Sequence, residues 1–95
     1  MLDLATATRA QFEACLGNRF ELQTTTGPIA LTLAEARPLG TARTGTTREP
    51  FALTFHSDPA QRLPQQIYHL EHPTLGAMEI FLVPIAAGQF EAVFN

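Results

Sequence analysis

Residues 68–81, YHLEHPTLGAMEIF, bring His69, Glu71, His72 and Glu79 into one short stretch. Imidazole titrates near neutrality and a carboxylate beside it favours its charged form, so such a group can shuttle protons or bind a metal ion. Spacing decides whether the side chains meet. On a helix His69 and His72 would share a face, whereas on a strand they point to opposite sides. Tyr68 and Leu70 alternate with His69 and Glu71, and Met78 and Ile80 alternate with Ala77 and Glu79, which predicts a β-hairpin. A turn centred near Thr74 sets Leu70 opposite Met78, Tyr68 opposite Ile80 and His69 opposite Glu79, with Pro73 and Gly76 bracketing the loop and His72 in the turn. His69 and Glu79 then make a surface polar pair, the candidate acid–base couple of this chain. Zinc would need a third protein ligand, for which His56 is the remaining histidine. The expectation is a cross-strand pair worth about 0.2–1 kcal/mol, with no metal and no cofactor.

Other chemistry-bearing residues read as structural. In TRAQFEACLGN, Thr8 with Gln11 three residues on is a capping box, and Phe12, Cys15 and Leu16 share a face before Gly17, so residues 9–16 are expected to be a helix after a flexible lead-in over 1–7. Cys15 falls on the apolar face and is read as a core residue, not a nucleophile. His56-Ser57-Asp58 contains the residue types of a hydrolase triad, but strand neighbours alternate in direction and cannot relay a proton in line. GTARTG lacks the spacing of a phosphate-binding loop. Arg37, Arg43 and Arg48 form a local basic cluster, read as solvated and not as a binding patch, and GTARTGTTREP over 40–50 is the longest expected loop.

Ninety-five residues suit a single domain. Seven Phe with many Leu, Ile and Val supply one core, and one cysteine cannot form an internal disulfide. The formal charge of −3, with acidic residues scattered singly, offers nothing to a phosphate backbone, so no nucleic-acid partner is expected. MLDLATATRA does not resemble a signal peptide, and no apolar run approaches the roughly 20 residues that span a bilayer. A cytoplasmic protein without membrane contact is expected.

From residue 19 the hydrophobic period is two. Strands are expected at about 19–24, 28–37, 51–57, 66–72, 77–84 and 89–94, giving a mainly β protein: a small antiparallel six-stranded barrel with one short N-terminal helix, or alternatively a two-sheet sandwich. In the first hairpin a turn at Thr26-Gly27 would pair Leu22 with Leu31 and Phe20 with Leu33, and a bulge near Ala34 would restore the phase. The Phe-rich rows fill the interior and leave little room for an internal ligand. The last strand, ending at Phe94, is expected to be structural.

Phe81 and Val83 continue the outward row of Glu79, so this strand is apolar on both faces and needs a cover. The helix is expected to lie across them and leave a monomer; if it plugs a barrel end instead, Phe81 and Val83 begin a partner surface beside Val93.

The stretches FEACLGNRFEL, REPFALTF, LPQQIYHLEHPTLGAMEIFLVPI and FEAVFN resemble DUF6916, a family of small bacterial proteins of unknown function, over about residues 12–95. The turn AAGQ between Ile85 and Phe90 is shorter than the resemblance leads one to expect. The resemblance implies an accessory role beside phage-tail-like collar proteins and carries no catalytic residues. Its motif residues, Glu49, Pro50, Phe51, Leu63, Pro64, Gln65, Tyr68, Pro73, Gly76, Pro84 and Phe94, read as structural, with Gln65 or Gln66 expected to bond loop backbone. Three functions stay open: a non-enzymatic interaction or assembly domain with a protein partner, a small-ligand or carbohydrate-binding module, and a small enzyme using His69 and Glu79.

Overall fold

The computed structural model describes residues 1–40 and 49–95; the expected loop over 40–50 lies largely outside the described residues. Helix α1 (Arg9–Glu13) precedes six strands, β1 (Arg19–Thr24), β2 (Gly27–Pro38), β3 (Phe51–His56), β4 (Gln66–His72), β5 (Gly76–Ala86) and β6 (Gln89–Phe94). All neighbours are antiparallel and the sheet closes in the order β1-β2-β3-β6-β5-β4. The chain is therefore a closed barrel and not a sandwich. β6 pairs along its whole length with β3 and at its start with β5, so it is the strand that completes closure.

The inward rows are those of the alternation. Phe20, Leu22, Leu31, Leu33, Phe51, Leu53, Phe55, Leu70, Met78, Ile80, Leu82 and Phe90 are all buried, and their aromatic rings fill the interior. At about 25 cal/mol per Å² of apolar surface removed from water, this core is the main source of stability. The β4–β5 hairpin has every expected rung, from Tyr68 opposite Ile80 to His69 opposite Glu79. The bulge falls between Leu33 and Glu35 as expected. The first hairpin differs: Leu22 pairs with Ile29 and Phe20 with Leu31, because the turn residues are Thr25 and Thr26. A slip of two residues preserves every face, so apolar alternation does not detect it.

Two small residues on the outward row of β3, Ala52 and Thr54, are also buried. Their register places them between β2 and β6, and Arg37 on β2 spans β3 to reach Glu91 on β6 at 2.7 Å while also bonding Glu35 at 3.2 Å. The guanidinium bridge roofs these small side chains.

Both barrel ends are closed. At one, the 57–65 loop buries Leu63, and the Tyr68 hydroxyl donates to the Pro64 carbonyl at 2.5 Å. Gly88, in the β5–β6 turn, has φ 67°, and a Cβ there would stand 2.8 Å from the Ser57 carbonyl and 2.9 Å from Pro59, so only glycine permits both the turn and the loop beside it. At the other end, Phe12 of α1 packs its ring 6.0 Å from Phe51 and 5.7 Å from Phe94, which stack on each other at 4.6 Å.

The helix is thus a plug, not the expected cover over Phe81. The capping box of Thr8 and Gln11 forms, but the helix ends at Glu13, and Leu16 is exposed. Gly17 N–H donates to Leu33 O and Leu33 N–H to Asn18 O, which ties the helix exit to β2 immediately before β1 begins. On the other side of the helix Leu2 N–H donates to Ala77 O at the start of β5, so residues 2–17 run from β5 to β2 with the helix over the barrel end. Residues 1–7, expected to be a flexible lead-in, are packed: Leu2 N–H donates to Ala77 O, Ala7 is buried, and Leu2 and Leu4 lie against the core.

Candidate functional site

The hairpin brings His69 and Glu79 together on the outer surface. His69 Nδ1 lies 3.0 Å from Glu79 Oε1, and Nε2 lies 3.1 Å from Glu71 Oε2. β1 adds Glu21, directly across from Glu71. The hydrogen bond to Glu79, then that to Glu71, raises the His69 pKa above its ordinary value. With both ring nitrogens held by carboxylates, His69 has no lone pair turned to a substrate proton. His56 ends β3, on the far side of the barrel from β4, and does not join His69. Among the described residues no group of three or more His, Cys, Asp or Glu is disposed to hold a metal ion.

This pair gives a signed expectation. In an NMR titration His69 should show a pKa above about 6.5, and Glu79→Gln should bring it down. Any stabilisation is present below the unfolded value and lost as pH rises through the folded one, and solvent screens it. A His69 value below the reference would overturn the geometry.

His72 is not a turn residue exposed to water but the last residue of β4, pointing inward and 6% exposed. Its ring lies 4.6 Å from that of Phe20. Nδ1 accepts from the Thr74 and Leu75 amides, each at 3.1 Å, so the proton sits on Nε2 and is donated to Asn18 Oδ1 at 3.0 Å. Burial lowers its pKa. Strand parity alone would have turned this side chain inward; the adjacent Pro73 drew it into the expected turn.

Most motif residues do hold the frame. Phe51, Leu63, Tyr68 and Phe94 are buried. Pro50, also buried, accepts the Leu39 N–H through its carbonyl, while Glu49, Pro73 and Pro84 are exposed. Gly76 takes φ 85° where the hairpin turn re-enters β5. Burial raises the Cys15 thiol pKa, as suits a core residue. Gln65 departs from expectation: it is exposed, and its side chain makes no hydrogen bond among the described residues. Gln65→Ala should therefore change the urea-melt stability by less than about 0.5 kcal/mol.

The outer face of β4, β5 and β6 is where apolar surface remains. Phe81 pairs with Ile67, and with Val93 they stand 47%, 64% and 53% exposed, while Val83 is half-buried. β5 and β6 part below the Val83–Glu91 rung, and a groove of about 290 Å³ opens there, floored by Ile80 and Ala92 and edged by Phe81, Val93, Ile67, Leu4 and Glu79. Ile67 was legible only as an outward position in the row of His69 and Glu71. A second groove, of about 600 Å³, runs between the 57–65 loop and Pro84, Ala86 and Ala87. Its aromatic residue, Phe90, is 1% exposed, and Arg62 at its rim is bonded to the Pro59 carbonyl.

No helix among the described residues is long and apolar enough to cross a membrane. A closed six-stranded barrel, plugged at one end by a helix and bare on one outer face, defines a small all-β domain filled by its own side chains. The chain belongs to DUF6916, a domain of unknown function, whose family model matches residues 7–94. Comparison with curated proteins and with solved structures finds no match.

Proposed function

We propose that this domain is a non-enzymatic interaction or assembly module, acting in the cytoplasm and binding a protein partner through the outer face of β4, β5 and β6. The observation that carries this reading is the side-by-side exposure of Ile67, Phe81 and Val93 around one groove, left bare because the chain's helix is used as a plug. Contiguous exposed apolar side chains cost solubility and are a common mark of a contact surface. Among the described residues the inward rows are buried against one another, which disfavours a ligand held inside the barrel. An acid–base role for His69 and Glu79 has less support, since both imidazole nitrogens are occupied. An accessory part of a phage-tail-like assembly fits the same reading.

Two substitutions at position 81 test it, the first being Phe81→Ser. Folding stability should fall by less than about 1 kcal/mol, as befits a half-exposed side chain whose main loss is its cross-strand contact. A photo-crosslinking amino acid at position 81, expressed in the native host, should give a discrete protein adduct that the same probe at Ala30, on the outer row of β2, does not. A loss of several kcal/mol would make Phe81 a core residue, and absence of any adduct specific to position 81 would overturn the binding face.

A further inference from the structure

We infer that the partner offers this face an apolar side chain accompanied by arginine or lysine, so that the site reads a basic-apolar protein segment; this rests on the outer-face reading above. A standard interface takes roughly 800 Å² from each partner, more than three half-exposed side chains supply, so the contact must run onto their neighbours. Along the strands those neighbours are acidic. Glu79, the outward residue before Phe81 on β5, edges the same groove, Glu71 shares His69 with it, and Glu21 stands across from Glu71. Against these carboxylates stand His69 itself and Arg19, the latter 3.9 Å from Glu21.

The same charges argue against a second copy of this chain. Among the described residues each arginine is already engaged: Arg9 with Glu13, Arg19 with Glu21, Arg37 with Glu35 and Glu91, and Arg62 with a backbone carbonyl. A symmetric pair formed over the groove would set Glu79 and its acidic neighbours against their own copies, and among the described residues no arginine edges the groove to offset them. Glu21, Glu71 and Glu79 outnumber His69 and Arg19, so this surface keeps an excess of negative charge that a partner with its own cation can meet. The partner's apolar side chain enters the groove between Phe81 and Val93, and its cation meets Glu79, two strand residues or about 7 Å away.

Selection of a displayed random-peptide library against the full chain tests this. The expected winners combine an apolar residue with Arg or Lys, and lose about tenfold or more in affinity against both Phe81→Ser and Glu79→Gln, with binding that weakens as salt rises. Thermal melts of both variants confirm that they are folded. Winners that depend on Phe81 but carry no basic residue, or are indifferent to Glu79→Gln, overturn the basic-partner inference and leave the binding face standing. Winners indifferent to Phe81, or no winners at all, overturn both. Self-association of the chain that Phe81→Ser abolishes, seen by light scattering, overturns it in favour of a second copy.

Discussion

Phe12→Ala should cost about 3–5 kcal/mol, the range for emptying a large aromatic from a packed core. Phe12 is fully buried, and it closes the barrel end by packing against the stacked pair Phe51 and Phe94. Deletion removes apolar burial and two aromatic contacts, each worth about 0.5–1.5 kcal/mol beyond area alone. The cavity would open between α1, the first residue of β3 and the last of β6, the strand that completes closure. Leu16→Ala is the control on the same segment: Leu16 is exposed and should lose less than about 0.5 kcal/mol. Urea melts on the two variants check both figures. A Phe12→Ala loss equal to the control's would mean that the helix docks without being part of the cooperative unit.

The placement of that helix marks where sequence reasoning runs out. Periodicity identifies Phe12 and Cys15 as buried, and both are, but it does not say against what. The answer comes from the tether: Gly17 and Asn18 bond to Leu33 on β2, and β1 starts at Arg19. By contrast, the β4–β5 hairpin was legible rung by rung, because Pro73 and Gly76 leave one turn centre and both rows alternate strictly. In the first hairpin the run TTTGP admits more than one turn, and a two-residue slip leaves Phe20, Leu22 and Leu31 facing the core either way. The bulge was legible for the opposite reason: Ala34 and Ala36 alternate with Glu35 and Arg37 out of phase with Leu31 and Leu33, and a single inserted residue does change faces. The outer face followed the same logic in reverse. Phe81 was readable as outward from parity, but whether anything covers it depended on the tether.

Removing His72 should be the second large loss, about 2–4 kcal/mol for His72→Ala, through lost packing on Phe20 and amide donors stripped of their acceptor. His72→Phe separates the two causes. It keeps a ring against Phe20 but accepts nothing from Thr74 or Leu75 and donates nothing to Asn18, so it should recover part of the loss and not all of it. The pH dependence then distinguishes a hydrogen-bonding role from mere filling. Burial depresses the folded pKa of His72, and Nδ1, already facing two N–H donors, has no acceptor for a second proton. Its stabilising contribution is present above the unfolded value of about 6.5 and lost as pH falls toward the folded one, because the unfolded chain takes up the proton first. His69 runs the other way, held charged by Glu79 and Glu71, so the two imidazoles of one hairpin should titrate on opposite sides of the reference value. His72→Phe should abolish the acid-side decline that His72 causes and leave the His69 titration in place. If wild-type His72 titrates above His69, the neutral tautomer bridging Asn18 to the β4–β5 turn is wrong, and with it the reason this turn holds its register.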